Sequence, residues 1–309
     1  MCIEVGQALS WWTADPVSLP AVALSSMLYG RGLSLLWRSA GVGSGIRRSE
    51  ALSFYAGQVS LLIALVSPID RLSDVLFSAH MTQHEILLVV APPLLVLGKP
   101  LVALVWALGP KGRSALLGWL DSPGLNRLWR RVSAPVSILL IHGLVLWLWH
   151  IPSWFEAALR NEWIHALQHA SFLSTAVVFW WGVTRGRYGR GGYGMASAFV
   201  FATAMHTSIL GALLTVAARL WYPLYAVRGQ PWSIDVIEDQ RLAGLIMWVP
   251  AGLLLAVLAL ALFAAWLGES ARRVKLAERR RAAGATRAIG TSVTLCDAST
   301  HPDLGDSRR

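Results

Sequence analysis

The stretch Ser78–Leu88, SAHMTQHEILL, sets two histidines four residues apart, His80 and His84, at the head of an apolar run that continues through VVAPPLLVL to Leu97. What such a pair costs depends on the solvent around it, and the composition identifies that solvent. Of 309 residues, 55% are hydrophobic and 14% charged, against roughly 25% charged in an ordinary soluble domain. The sequence therefore reads as an integral membrane protein. Its formal net charge of +10 does not point to nucleic acid, because the basic residues form no single stripe and instead fill the gaps between apolar runs.

A helix needs about 20 apolar residues to cross the hydrocarbon core. By that measure seven transmembrane helices are expected, at residues 17–37, 52–66, 77–97, 136–149, 163–183, 196–217 and 242–267. The expected fold class is all-α, a polytopic membrane helix bundle. The first span is interrupted by Gly30 and Arg31, which can snorkel to the interface. The apolar signal from Phe77 runs on to Leu108, but Pro92, Pro93 and then Gly98-Lys99-Pro100 break it, so a kinked span followed by a short interfacial helix is expected.

Lys and Arg set the orientation. One set of connecting segments, with the tail, holds 22 of them and the alternate set holds 5, so the positive-inside rule places the N-terminus outside and the C-terminus in the cytoplasm. No basic residue precedes Val17, so a cleavable signal peptide is not expected. Residues 1–270 form the membrane domain; residues 271–309 form a basic, then polar cytoplasmic tail expected to be largely disordered. Cys2 and Cys296 fall on opposite sides of this topology, which excludes a disulfide between them. The glycines of GVGSG and GRGGYG follow no strand, which argues against a phosphate cradle.

On this topology seven of the eight histidines lie between the middle of the bilayer and the outer face, and only His301 does not. His80 and His84 on the third span match His165 and His169 of NEWIHALQH on the fifth. Residues i and i+4 share a helix face about 6 Å apart, so each pair can aim two imidazoles at one point, and two facing pairs would converge four nitrogens. Neutral imidazole suits copper, zinc, iron or nickel. Ionisable groups inside a membrane are costly and usually functional, which makes the two pairs the metal candidates. His206, in TAMHTS about 16 Å below the outer end at 1.5 Å per residue, is a further candidate ligand. His142 reads as a packed residue hydrogen-bonded to a neighbouring helix, and His150, among Trp147, Trp149 and Trp154, as part of an aromatic belt. Met81 and Met205 offer soft donors, although helix neighbours point about 100° apart.

Spacing also bears on haem. A porphyrin is wider than one helical turn, so the two histidines of a pair cannot each hold a separate haem, whereas one haem bound by one histidine of each pair remains open. His84-Glu85 is not a zinc protease motif, since position 88 is leucine. Asp70, Glu156, Glu162, Glu238 and Asp239 form an acidic rim on the outer side, and Glu162, three residues before His165, is placed to orient that ring.

The runs SAHMTQHEILLVVAPPLLVLGKP, LWLWHIPSWFEAALRNEWIHALQHASFLSTAVVFWWGV, GALLTVAARLWYPLYAV and IEDQRLAGLIMWVPAGL resemble the bacterial CtaG family, associated with assembly of caa3-type cytochrome c oxidase, over residues 15–267. The matching positions are His80, Met81, Gln83, His84, His150, Pro152, Glu162, His165, His169, Glu238, Asp239 and Gln240. The resemblance implies a multi-pass protein of the bacterial plasma (inner) membrane that matures a haem-copper oxidase, handles copper, contacts oxidase subunits and is not an enzyme. The alternatives left by the residues are a haem-binding membrane protein and a transporter whose histidines line a copper or proton path.

Overall fold

The computed structural model describes Trp12 and residues 15–185, 192–229 and 235–298, with side chains as far as Arg280. Cys2, Arg187, Arg190 and His301 lie outside the described residues, as does the side chain of Cys296. Every regular element among the described residues is helical. Helix α1 (Ser18–Ala40) is followed by α2 (Arg48–Leu65) and a single-turn α3 (Pro68–Ser73). Next come α4 (Phe77–Glu85), a π-helical turn (Ile86–Val90) and α5 (Ala91–Leu97), which run on as one unit. Then follow α6 (Pro100–Ala107), α7 (Pro110–Leu120), α8 (Pro123–Val132) and α9 (Pro135–Trp149), each with proline in its first turn. The order closes with α10 (Pro152–Arg160), α11 (Glu162–Arg185), α12 (Gly192–Val216), α13 (Leu224–Arg228) and α14 (Val236–Ala298).

Among the described residues four units are long and apolar enough to cross a membrane: α1, Phe77–Leu97, α12 and the Val236–Arg280 part of α14. α8 and α9, bent by 69° at their junction, make a fifth when taken together. The seven crossings expected from the sequence are thus four or five by length and composition. The difference lies in polar residues: α2 opens on Arg48 and Glu50 and carries Gln58, while α11 opens on Glu162 and carries His165, Gln168 and His169. Both helices nevertheless pack inside the bundle, α2 on α5 and α11 on α5, α9 and α10. The tail expected to be disordered is helix as far as Ala298.

The interior is divided between two ends. Phe77, Phe155, Phe172, Tyr222 and Tyr225 build an aromatic core where α4 begins, called here the histidine end. Toward the opposite end, Phe179, Trp180, Phe199 and Val200 form a second core. There Lys99 pairs with Glu50 at 2.6 Å and the Tyr29 hydroxyl donates to the Gly98 carbonyl at 2.8 Å. α6 packs on α1, its Ala103 fully buried over Gly32. Among the described residues the most extensive helix packing is between α12 and α14. A Cβ on Gly244 would sit 2.5 Å from Thr215 Oγ1 and one on Gly211 2.6 Å from the Trp248 Cβ, so glycine at both positions is what lets the backbones meet.

Two local devices place α4. Its first backbone N–H groups have no partner within the helix, and Asp239 of α14 supplies one: Phe77 and Ser78 donate to its two carboxylate oxygens at 2.6 and 3.3 Å. Eight residues past His84, Pro92 lacks the N–H that would bond the carbonyl four residues back, at Leu88. The π turn falls there, and the Trp180 indole donates to that carbonyl at 2.9 Å.

Candidate metal centre

The two predicted pairs meet. The ring centres of His80 and His84 are 4.4 Å apart on α4, and those of His165 and His169 are 4.2 Å apart on α11. Across the helices, His80 lies 5.2 Å from His165 and His84 lies 5.4 Å from His169. Ligand nitrogens of His80, His165 and His169 fall within 4.8 Å of one another, the one such group of three found among the described residues. Phe155 and Phe172 wall the cluster, at 4.9 Å from His80 and 4.8 Å from His84.

His150 joins them, which its reading as an aromatic-belt residue did not anticipate. It caps the end of α9 with its ring 6.2 Å from His84 and 2% exposed. Its Nδ1 lies 2.7 Å from the Leu146 carbonyl, which can only accept, so Nδ1 carries the proton and Nε2 keeps its lone pair. The Tyr222 hydroxyl donates to the His150 carbonyl at 2.9 Å. Burial pushes the Tyr222 and Tyr225 hydroxyls above the usual phenol range, so both remain donors.

Seven buried ring nitrogens on these five histidines have no hydrogen-bond partner: both of His80, both of His84, and Nε2 of His150, His165 and His169. The Ser73 carbonyl adjoins His80 but accepts from the Tyr225 hydroxyl at 3.1 Å, and no hydrogen bond of normal geometry links it to the ring. Each orphaned buried group costs about 1–3 kcal/mol, so the cluster as it stands is a costly feature of the fold. All five side chains offer lone pairs, and an electron-pair acceptor is the chemistry that would satisfy them.

A cleft of about 910 Å³ leads to His165 and His169. Asp15, Asp70, Asp74, Glu162, Arg71 and Arg228 stand among the polar residues that line it, and its deeper walls are apolar. Asp70, Asp74 and Asp15 act electrostatically on His165. Glu162 is exposed and makes no hydrogen bond to His165, so the expected orienting contact is not formed.

Other sequence candidates have different tasks. Gln83 donates to the Ala64 carbonyl and to Asp70, both at 2.8 Å, and so braces α4 against α2 and α3. Met81 is fully buried in the aromatic core, and Met205 is 47% exposed on the outside of α12. Asp239 holds the start of α4, Glu238 pairs with Arg241, and Glu156 bonds Arg160 and the Leu224 amide, so these three are structural ties more than a cation rim. His206 does not reach the cluster; its ring contacts His142 at 6.4 Å and packs on Gly143. His142 bonds Thr175 at 3.1 Å, as its reading as a packed residue expects. The sequence reading also missed Gln168, fully buried beside His169 with both amide atoms unpartnered, for which no periodic signal existed.

Comparison with known proteins agrees with the sequence resemblance. The model of the cytochrome c oxidase caa3 assembly factor family, Caa3_CtaG, matches residues 27–269. Uncharacterized proteins of Mycobacterium bovis and Mycobacterium tuberculosis are each 25% identical over 287 residues, 90% of this chain and 42% of theirs. One from Mycobacterium leprae is 26% identical over 237 residues, 75% of this chain and 36% of its own. The chain thus spans less than half the length of these relatives. No solved structure matches.

Proposed function

This chain belongs to the caa3-type cytochrome c oxidase assembly factor family, and from that premise we propose that it binds copper through His80, His84, His165 and His169 and holds it for an oxidase subunit. The single observation carrying this reading is the convergence of orphaned imidazole nitrogens from two helices, three of them within 4.8 Å of one another. Imidazole-only donors fit copper in either oxidation state better than magnesium or calcium, which demand oxygen ligands. His150, with its tautomer fixed, supports the same ion from α9.

In the full reading the protein crosses the bacterial plasma membrane seven times, with α2 and α11 completing the crossings inside the shelter of the other helices. The imbalance of 22 basic residues against 5 puts the histidine end outside. The cleft then opens to the exterior, its carboxylates drawing in a cation that the histidines retain. Haem is the weaker reading: the imidazoles lie 4.2–6.2 Å apart centre to centre, and a macrocycle wider than a 5.4 Å helical turn would overlap the third and fourth rings of the set. The role we propose is that of a carrier or scaffold.

The test is elemental analysis and optical absorption of the detergent-purified protein after loading with copper, with and without His80, His84, His165 and His169 changed to alanine. Copper bound by the parent and lost in the variant supports the reading. Copper content unchanged by the four substitutions, or a Soret band in the purified parent, overturns it. Uptake of copper into vesicles holding only this protein would assign transport instead.

A further inference from the structure

At the end opposite the histidine cluster, α7 and α8 stand outside the packed core, and no residue of either helix is buried. The course of α8 follows from proline. Pro135 opens α9 and holds Ala134 in an extended conformation, so α8 cannot run straight into α9 and leaves it at 69°. A straight continuation would carry Arg127, Arg130 and Arg131 along the line of the span, toward hydrocarbon that excludes them. The break turns them aside.

The residues of α8 then sort into two faces. Leu125, Leu128, Trp129 and Val132, spaced by three and four, share one side of the helix, and Asn126, Arg127, Arg130 and Arg131 share the other. Trp129 meets Trp181 of α11 at 5.0 Å between ring centres, which ties α8 to the end of the bundle and fixes its roll. Leu128 is left 58% exposed, as are Leu117, Trp119 and Leu120 on the neighbouring α7. The three arginines are exposed and make no ion pair among the described residues. Across α7 and α8, Lys111, Arg113, Arg127, Arg130 and Arg131 are set against a single carboxylate, Asp121.

We propose that α8 lies in the plane of the membrane surface and binds anionic lipid, with Arg127, Arg130 and Arg131 on the phosphate-bearing headgroups and Leu128 at the acyl boundary. An acidic protein segment would satisfy the arginines and leave the leucine and tryptophan face in water. The boundary of an anionic bilayer satisfies both faces at once, and the bend from α9 delivers the helix to that boundary. The inference rests on α9 crossing the bilayer, as proposed above, and uses no residue of the copper site.

The experiment uses the full chain with Cys2 and Cys296 changed to serine and a nitroxide on Leu128→Cys, in nanodiscs of phosphatidylcholine alone or mixed with phosphatidylglycerol. Collisions of the nitroxide with oxygen, which concentrates in lipid, are compared with collisions with a water-soluble nickel chelate. With phosphatidylglycerol, oxygen is expected to dominate, at a depth of about 5–10 Å below the headgroups. Nickel collisions should rise several-fold in phosphatidylcholine alone, in molar salt, and when Arg127, Arg130 and Arg131 are changed to glutamine. The lipid and salt arms keep the arginines, so they decide even if that variant fails to fold. Nickel-dominated collisions in every lipid, or a depth unchanged by lipid charge, salt and arginine removal, overturns the proposal. So does a label shielded from both reagents, which would mean that protein covers this face. Failure of the copper reading is seen in copper content, which none of these arms measures.

Discussion

α4 and α11 carry the same element, two histidines four residues apart, and the fold treats them differently. His80 and His84 are 0% and 2% exposed, enclosed by Phe155, Phe172 and their partner helix. His165 and His169 line the open cleft, and His165 is only partly buried. Identical local spacing thus yields a sealed pair and an accessible pair, because exposure is decided by what packs over a helix face. On the proposed reading, the α4 pair retains the ion and the α11 pair receives it.

The largest expected effect tests that division. Changing both His80 and His84 to alanine abolishes copper retention after gel filtration, whereas changing His165 alone leaves retention measurable and slows loading, seen by stopped-flow with a cuprous donor. Equal loss in both variants would erase the distinction between the pairs. Next in size is Asp239→Asn, which weakens the charged anchor of α4 on α14. A loss of about 2 kcal/mol is expected, within the range for hydrogen bonds to charged groups, and copper affinity should fall with it if α4 must be held for its pair to meet α11. Denaturant unfolding and copper titration of the same sample measure both.

Smaller effects concern access and tautomer. Neutralising Asp74 and Glu162 with asparagine and glutamine should reduce the copper loading rate several-fold at low salt and hardly at all in molar salt, because a mouth of exposed charges acts through screened steering. A salt-independent change would mean that these carboxylates are ligands. Tyr222→Phe removes one hydroxyl donor from the His150 carbonyl, at a cost of about 1 kcal/mol. A larger copper defect than stability defect in that variant would make His150 a ligand in its own right.

The candidate site was legible in part. His80, His84, His165 and His169 stood out because i,i+4 spacing is a one-dimensional signal and because imidazole in an apolar run is anomalous. His150 lacked a partner at helical spacing and sat among tryptophans, so only the turn between α9 and α10 reveals that its ring points inward at His84. Asp239 read as rim charge from its place before the last span; that it reaches 162 residues back to Phe77 is a long-range fact. His206 matched the others in depth but lies on a different face of the bundle, beside His142. Depth along the membrane normal follows from counting residues, while angular position around the bundle does not.

By itself the sequence determined the solvent of this protein, its all-helical class, its family resemblance and the two histidine pairs, since composition, periodicity and spacing are properties of the chain. Only the tertiary structure decided that the pairs face one another, that one is sealed and the other open, and that α8 turns away from α9 with its arginines exposed. Those outcomes depend on which helix faces bury one another, and that choice is settled by packing among residues far apart in the chain.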